Sequence, residues 1–301
     1  LKIKNLKPTL IDFVYYKKEL LQEVFFKVET NEITKIFICD LGFDDMDLDS
    51  FNNLREKFDV LLIDHHPVNS GLINKGDIIK TASEDCSALT IFELGRGILD
   101  YDKWNWLVCA AIFADHSYSK KENLEFIKKI YPEVTMENIA SSTPGINARK
   151  ISDALVYYSN DLKKVYELVK NRDMAKIGEY YDIIEEEINR EVKDYFKNAE
   201  YFPEKHLYIS EINSRFNISS TVSTIVSKFK DKTFLIITKM PEKGLIRINA
   251  RNQTEHGDVG ELMKKGISGL QGAVGGGHKK AAAARIKSQD FEKFKENILK
   301  D

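Results

Sequence analysis

The sequence predicts an α/β protein: a domain built on a parallel sheet, a helical linker, and a second, smaller α/β domain. Short apolar segments of strand length alternate with segments whose apolar residues recur at helical spacing, first up to residue 64 and again from residue 207. Between them lies a long stretch of helical periodicity. An alternation of strand and helix favours crossover connections, which make neighbouring strands parallel.

Five segments predict the first sheet. The strand segments are rich in β-branched and aromatic residues, and the helical segments carry their apolar residues on one stripe. In chain order they are strand 9–16, helix 17–29, strand 35–39, helix 47–58 and strand 60–63. Helices are also predicted at 86–99 and 104–114, and the second is apolar on nearly every side, which indicates burial.

A helical stretch is predicted from Ser152 to about Phe202, where Pro203 ends it. We therefore place the domain boundary there, with the first domain and its linker helices at 1–203 and the second domain at 204–301. The second domain is predicted to contain strands 207–212, 234–238 and 244–249, and helices 219–229, 258–265 and one after residue 288.

Length and composition narrow the class of protein. A chain of 301 residues that is 43% hydrophobic suffices for two domains with substantial cores. The longest apolar run, 106–114, is well short of the roughly 20 residues of a membrane-spanning helix, and we expect neither a membrane segment nor a signal peptide. The three cysteines stand singly in apolar stretches, which predicts reduced thiols and a cytoplasmic protein.

The net charge of −2 conceals an asymmetry between the two halves. Residues 205–301 contain 18 Lys and Arg against 10 Asp and Glu, a balance of +8, whereas residues 1–204 contain 27 against 37, a balance of −10. An acidic half suits cation binding, and a basic half suits a partner that carries phosphate. The alternative is that these charged side chains lie on solvent-exposed surfaces and have no role in binding.

Acidic residues end the predicted strands of the first domain. Asp40 follows strand 35–39, and Asp64-His65-His66 closes strand 60–63. Ligands of parallel sheets collect at the carboxyl ends of the strands, so both carboxylates are expected in one crevice. Carboxylate and imidazole together suit manganese, zinc or iron. Asp115 repeats the pattern after an apolar helix; capping or chance exposure at a helix end is the alternative for Asp40 and Asp115.

A cluster of four acids, Asp44, Asp45, Asp47 and Asp49, resembles a calcium loop only superficially. It lacks the required glycine and the distal glutamate at the EF-hand spacing. We interpret the cluster as a solvated start of a helix.

The basic half contains a glycine-rich segment, Gly275, Gly276 and Gly277, followed by His278. Glycines allow backbone N–H groups to approach a ligand closely, and amides beside a histidine and lysines form a cradle for anions. A flexible hinge is the alternative interpretation.

Two arginine-bearing segments add candidate phosphate contacts. Arg247 and Arg251 are four residues apart, so on a strand they would share one face. Asn147 and Arg149 belong to the segment 144–149, which we predict to be a turn. Guanidinium groups bind phosphate in a bidentate manner.

Together these segments resemble the DHH phosphoesterase family. Residues 64–66 resemble the motif that gives the family its name, 38–42 its second motif and 111–115 its fourth. Residues 275–284, preceded by 247–251, are similar to the glycine-rich signature of the DHH-associated C-terminal domain. Residues 144–155 are similar to a segment of RecJ-type single-strand exonucleases.

The resemblance implies a metal-dependent hydrolase that releases mononucleotides from an end of single-stranded DNA or RNA. It implies two Mn²⁺ ions, with Mg²⁺ as an alternative, and assigns Asp40, His65 and Asp115 to one of them. Asp64 and His66 are implied as catalytic residues that orient ligands or touch phosphate.

The resemblance also assigns the substrate-binding residues and the partners. The substrate phosphate would contact Asn147, Arg149, Arg247, Arg251, Gly275, Gly276, Gly277 and His278. Replication and repair proteins are the expected protein partners.

Two alternatives stay open at this point. One is an enzyme for short substrates, such as a nanoRNase, a phosphoadenosine-phosphate phosphatase or a cyclic-dinucleotide hydrolase. The other is a non-catalytic, replication-associated scaffold.

The sequence departs from the family at its beginning. The family opens with a strand that ends in a His-x-Asp-x-Asp-Gly-type motif, whereas residues 1–39 contain no histidine and one aspartate, Asp12. Because Leu1 is also not a methionine, we expect that the sequence begins inside the fold. A variant without a complete first metal site is the alternative.

Overall fold

The computed structural model describes residues 8–14, 20–98, 100–228, 231–254 and 257–300. The chain divides into two compact units, the first formed by 1–152 with 160–173 and the second by 153–159 with 174–301. Residues 174–203 thus belong to the second unit, whereas the predicted division placed them with the first. The boundary at residue 203 remains a prediction.

The first unit contains the predicted parallel sheet. Its strands are β1 (Lys35–Cys39), β2 (Asp59–Asp64) and β3 (Ile78–Lys80). Its helices are α1 (Leu20–Thr30), α2 (Phe43–Met46), α3 (Leu48–Lys57), α4 (Ser87–Leu94), α5 (Tyr101–Ala114), α6 (Lys121–Ile130), the first part of α7 (Thr143–Tyr157) and α8 (Leu162–Lys170). The strand order is β1-β2-β3, and both pairings are parallel.

Two predictions for the start of the chain need correction. Residues 9–14, predicted as part of a strand, form none, and residues 15 and 16 lie outside the described residues. Strand-forming composition is insufficient without a pairing partner, and 9–14 make no ladder with the described residues. The predicted helix 17–29 is observed as α1, apart from residues 17–19, which lie outside the described part.

The core of the first unit lies in two clusters. One joins the sheet to α1 and α3 through buried residues such as Leu21, Phe51 and Leu62. The other packs α4, α5 and α6 together around Ile112 and Ile127. β1 keeps one exposed face, where Phe37 is 71% exposed and Cys39 is also exposed.

The predicted helical stretch 152–202 contains three helices, of which the third is α9 (Met174–Asn198), and its last residues, Glu200–Phe202, form a strand rather than a helix. Arg172 has a positive φ of 53° in the connection between α8 and α9, a conformation that interrupts a helix. The predicted turn 144–149 is wrong, since these residues form the first turns of α7. Proline is favoured in the first turn of a helix, and a Cβ on Gly145 would lie 2.3 Å from the carbonyl oxygen of Ile139.

The second unit is built on a mixed sheet. Its strands are β4 (Glu200–Phe202), β5 (Leu207–Glu211), β6 (Thr233–Met240), β7 (Leu245–Asn252), β8 (Val274–His278) and β9 (Ala281–Lys287). Its further helices are α10 (Ser219–Ser227), α11 (Val259–Gly266) and α12 (Phe291–Leu299). The strand order is β4-β5-β6-β7-β9-β8, with β5 and β6 parallel and the other pairs antiparallel.

Helices cover both faces of this sheet. α11 and α12 pack on one face, where Met263 and Phe294 meet Ile248 and Ile286. On the other face the apolar stripe of α9 joins α10 against β6, and this packing explains why α9 belongs to the second unit. The α/β fold class is therefore confirmed. None of the helices in the described ranges combines the length and apolar character that crossing a bilayer requires.

Replacing Leu62 by alanine should lower the free energy of unfolding of the first unit by about 2–5 kcal/mol, because the fully buried side chain leaves a cavity in the sheet core. Trp104 and Trp106 both lie in this unit, so tryptophan fluorescence during urea unfolding follows it selectively. The control Phe37→Ala should cost less than about 0.5 kcal/mol, because that ring is exposed. An equal decrease in the free energy of unfolding in the two variants would contradict the assignment of Leu62 to the core.

Candidate metal centre

The carboxyl ends of β1, β2 and β3 bring charged residues to one edge of the parallel sheet. Cys39 is paired with Ile63 in the register, and Asp64 with Lys80. Asp40 follows directly and donates its backbone N–H to the carbonyl oxygen of Ile63 at 3.0 Å. Asp40 and Asp64 thus lie at the same edge, as the strand pattern predicts.

Asp40 leaves the strand in the left-handed conformation, with a φ of 59°. A non-glycine residue pays a steric cost there, and such strain tends to accumulate where a side chain is needed in a particular place. The carboxyl side chain is about half exposed, so it remains open to a ligand.

His65 is held between Asp40 and a loop. Its Nδ1 lies 2.6 Å from the carbonyl oxygen of Asp85 and its Nε2 lies 3.3 Å from Oδ1 of Asp40. Because a carbonyl oxygen can only accept, Nδ1 carries the proton and donates it. In the neutral ring Nε2 then faces the Asp40 carboxylate as a second acceptor. Two acceptors facing each other favour a cation between them, and a backbone bond at Nδ1 is usual for metal-binding histidines.

The loop that positions His65 is itself anchored. Asp85 accepts a hydrogen bond from the backbone N–H of Ala82 at 3.1 Å and pairs with Lys120. The hydroxyl of Ser117 donates to the carbonyl oxygen of Glu84 at 2.6 Å. These contacts fix the carbonyl group that selects the tautomer of His65.

His66 is oriented by Asp64. Its Nδ1 lies 2.7 Å from Oδ1 of Asp64, whose side chain is fully buried. Burial alone would raise the pKa of Asp64, but the hydrogen bonds from His66 and Lys80 outweigh it and lower the pKa from 3.8. The carboxylate therefore stabilises the fold above that pH, and this contribution is lost as the pH falls through the lower, folded-state pKa.

Asp40, His65 and His66 offer donor atoms that all lie within 4.8 Å of one another. Ligands that each lie roughly 2.0–2.3 Å from one ion are at most about 4.6 Å apart, so a small rotation suffices to bind one cation. One carboxylate and two imidazoles suit Mn²⁺, Fe²⁺ or Zn²⁺. The residues therefore fit a divalent transition metal.

Asp115 is close to this group but not within it. It follows α5 and accepts a hydrogen bond from the buried thiol of Cys86. Partial burial of the carboxyl group, then the negative charge of Asp40, raise the pKa of Asp115. His66 thus joins Asp40 and His65 in the geometric group, and the assignment of Asp115 as a third ligand stays a prediction.

The sequence analysis did not identify Lys80, which contacts Asp64 and thereby supports the residues of the metal-binding group. Its Nζ lies 2.7 Å from Oδ2 of Asp64 and 2.9 Å from Oδ1 of Asp44, and these three side chains are at most 7% exposed. Burial would lower the pKa of Lys80, but the two carboxylates outweigh it and raise the pKa above 10.5. The available signal was a third short apolar segment, Ile78-Ile79, that ends in a charged residue.

The acidic cluster 44–49 is not wholly solvated, which corrects the sequence interpretation. Asp44 is completely buried and its Oδ2 accepts the backbone N–H of Asn69 at 3.0 Å. Burial of this carboxylate is tolerated because Lys80 lies beside it. Asp47 begins α3 by accepting the N–H of Ser50, the role of a helix cap.

The second unit holds the predicted anion-binding residues on two strands of one sheet, β7 and β8, which β9 separates. Arg247 and Arg251 lie on β7 and share one face, as predicted; Arg247 donates to Oδ1 of Asn217 at 2.7 Å, and Arg251 donates to the hydroxyl of Ser220 at 3.4 Å. Asn217 precedes α10 and Ser220 lies in its first turn. Both arginines are thereby held near the start of that helix.

Gly275, Gly276, Gly277 and His278 lie on β8, a regular strand, which disfavours the alternative of a flexible hinge. Anion binding by these residues stays a prediction. The segment pairs with the alanine-rich strand β9 as a hairpin. At Gly277 a Cβ would lie 2.5 Å from Cα of Ala282, and φ is 147°, so only glycine fits there. The small residues serve the close approach of the two strands.

Comparison with known proteins identifies the fold. Residues 205–300 match the DHHA1 domain family. Among solved structures, a DHH domain from a protein assigned to a family of ribosomal proteins is 17% identical over 94% of this chain and 74% of that one, with a TM-score of 0.62. The chain has the fold of this DHH domain, and residues 205–300 are similar to the DHHA1 domain. This confirms the resemblance predicted from the sequence.

Two further likenesses agree with that fold. RecJ from Thermus thermophilus, solved with Mn²⁺, is 12% identical over 92% of this chain and has a TM-score of 0.64, but the chain spans only 46% of it. An exopolyphosphatase-related protein from Bacteroides fragilis is 14% identical over 92% of this chain and 74% of that one, with a TM-score of 0.53. No curated protein matches the sequence.

The remaining predicted residues, Asn147 and Arg149, lie on α7 rather than on a turn. Asn147 is half-buried and Arg149 is exposed. Their contact with substrate stays a prediction.

Replacing Lys80 by methionine should destabilise the first unit by about 3–5 kcal/mol, because two buried carboxylates lose their cation. Adding Asp44→Asn should recover part of that loss, since one unpaired charge disappears. Urea unfolding followed by tryptophan fluorescence measures both effects. The matched control is Lys35→Met, which removes an exposed pair with Asp59 and should cost less than about 1 kcal/mol. The same cost for both lysines would refute the role of Lys80.

Asp115→Asn should raise the melting temperature of the metal-free protein at pH 7, because the fold disfavours the charged form of this carboxyl group. Mn²⁺ at about 100 times its Kd should stabilise the wild type by about 2.7 kcal/mol. If Asp115 is a ligand, the same Mn²⁺ concentration should stabilise the variant less than it stabilises the wild type. An equal gain in both proteins would remove Asp115 from the ligand set.

Proposed function

We propose that this protein is a divalent-metal-dependent phosphodiesterase that releases mononucleotides from an end of single-stranded nucleic acid. The observation that carries the proposal is the convergence of Asp40, His65 and His66 at the edge of the parallel sheet. The DHH fold, shared with a RecJ solved with Mn²⁺ and with Mg²⁺, supports it. Mn²⁺ is the proposed cofactor, and Mg²⁺ the alternative.

At the metal centre some residues would bind the cation and others would orient those ligands. Asp40, His65 and His66 would hold the cation, with Asp115 as the proposed further ligand. A divalent cation supplies Lewis-acid polarisation of a phosphoryl oxygen and lowers the pKa of water. Asp64 keeps the Nδ1 proton of His66 in place, and the Asp85 carbonyl does the same for His65. In both rings Nε2 is therefore the atom proposed to bind the cation.

In the proposed reaction, residues of the second unit bind the phosphate groups of the substrate. Arg247 and Arg251 offer guanidinium donors, and His278 is exposed on β8 of the same sheet. The excess of positive charge after residue 204 favours an anionic polymer. We propose that these side chains bind the substrate phosphates, with Asn147 and Arg149 as further contacts.

The proposal is tested by hydrolysis of labelled oligonucleotides with Mn²⁺ or Mg²⁺ and with a chelator. Asp40→Asn and His65→Asn should each lower kcat/KM by at least about a hundredfold, because each removes a ligand of the cation. The matched control Asp45→Asn removes an exposed charge from a neighbouring segment and should leave the rate unchanged. Product analysis over a series of lengths separates stepwise release of mononucleotides from hydrolysis of dinucleotides alone.

Two outcomes would contradict the proposal. One is hydrolysis at the wild-type rate in the presence of the chelator. The other is equal activity of His65→Asn and the wild type with Mn²⁺, since the cation would then be held elsewhere. Melting temperatures of each variant show whether a loss of rate is only a loss of folding.

A further inference from the structure

One face of the sheet in the DHHA1 domain carries a pattern of side chains that the metal chemistry does not require. In antiparallel strands, directly paired residues point to the same face. The register of β7, β9 and β8 therefore builds three rows across this face. The rows are Arg247–Arg285–Val274, Asn249–Ala283–Gly276 and Arg251–Ala281–His278.

The outer rows carry three arginine side chains that form no ion pair with an acidic residue in the described part of the chain. The side chain of Arg285 is exposed and makes no hydrogen bond with any described residue. It lies directly opposite Arg247, and like charges in that position destabilise a sheet. His278 is exposed at the other end. α9 and α10 pack on this face at β6, and Asn217 and Ser220 hold the β7 arginines near the start of α10, whereas the residues on β9 and β8 are more exposed. The like-charge pair at this boundary favours an anionic partner.

The middle row forms a flat floor on β9 and β8, between the two outer rows. Ala283 is exposed, and a Cβ on Gly276 would meet no atom within 4 Å, whereas Oδ1 of Asn249 on β7 is buried. The small side chains of β9 and β8 leave room for an extended ligand to lie along these two strands. The three rows contain no aromatic ring on which a base could stack, so this face suits the sugar–phosphate backbone rather than the bases.

The length of the floor limits the ligand. Arg247 and Arg251 are four residues apart on β7, which is about 13.6 Å at 3.4 Å per residue. One phosphate group cannot occupy both ends of such a face, whereas successive phosphates of an oligonucleotide can. We infer that Arg285 and Arg247 form a second phosphate seat beyond Arg251 and His278, which makes the protein select oligonucleotides over mononucleotides. The inference rests on the proposed function for the class of ligand.

Binding without hydrolysis tests the second seat. The 301-residue chain in EDTA is titrated with fluorescent oligothymidylates of about one to six nucleotides, a range that brackets the length of the floor. Wild-type affinity should rise in a step once the ligand spans both seats. Arg285→Gln should abolish the step, about tenfold in Kd, and leave mononucleotide binding unchanged, because a charged hydrogen bond is lost only for the longer ligand. The slope of log K against log salt should fall by about 0.7 for the hexamer.

Two further variants complete the design. Arg251→Gln should weaken mononucleotides and hexamers alike, since it belongs to the first seat. Lys293→Gln removes a positive charge from α12, which packs on the opposite face of the sheet. It should change neither the affinity for mononucleotides nor the affinity for hexamers. Arg285→Gln should not lower the melting temperature, because it relieves the like-charge pair with Arg247.

The outcomes separate this inference from the proposed function. Equal loss of mononucleotide and hexamer binding in Arg285→Gln, or no loss of either, overturns the second seat even if the wild type hydrolyses oligonucleotides with Mn²⁺. A length step that disappears in Arg285→Gln supports the seat even if no hydrolysis is detected, in which case only the proposed catalysis fails.

Discussion

The ammonium group of Lys80, buried between Asp64 and Asp44, is the interaction on which the metal centre depends. Desolvating three charged groups costs several kcal/mol, and only their mutual attraction offsets this cost. Through Asp64 the network fixes the ring of His66, and through Asp44 it fixes the loop at Asn69. The contacts among the chain's own residues thus support a geometry suited to a cation.

Local pattern predicted much of this fold. The apolar segments before Asp40 and Asp64 have strand length and strand composition, so their pairing and their common edge could be inferred. The pairing of Lys80 with Asp44 could not, because the two residues lie far apart in the chain and a lone lysine or an acidic run is usually solvated. The turn predicted at 144–149 failed for a related reason: Gly145 is selected by contact with Ile139, not by a bend.

The glycine-rich segment shows how one pattern can serve two purposes. Its glycines predicted a cradle for anions, with a hinge as the alternative, and the structure uses Gly277 to bring β8 close to β9. The same shortage of side chains leaves the other surface of the hairpin flat. Close packing within the sheet and access for an extended ligand therefore follow from a single sequence feature, and neither requires flexibility.

Cys39 is exposed and is therefore accessible to reagents that modify thiols. Burial raises the pKa of Cys86 and Cys109 to about 12, so these thiols stay protonated and unreactive at neutral pH. Partial burial of the sulfur and then the charge of Asp40 raise the pKa of Cys39 as well. A cation on Asp40 would cancel that charge and speed alkylation at Cys39. If Asp40 binds a cation as proposed, mass spectrometry of alkylated Cys39 would report the occupancy of the site without mutagenesis.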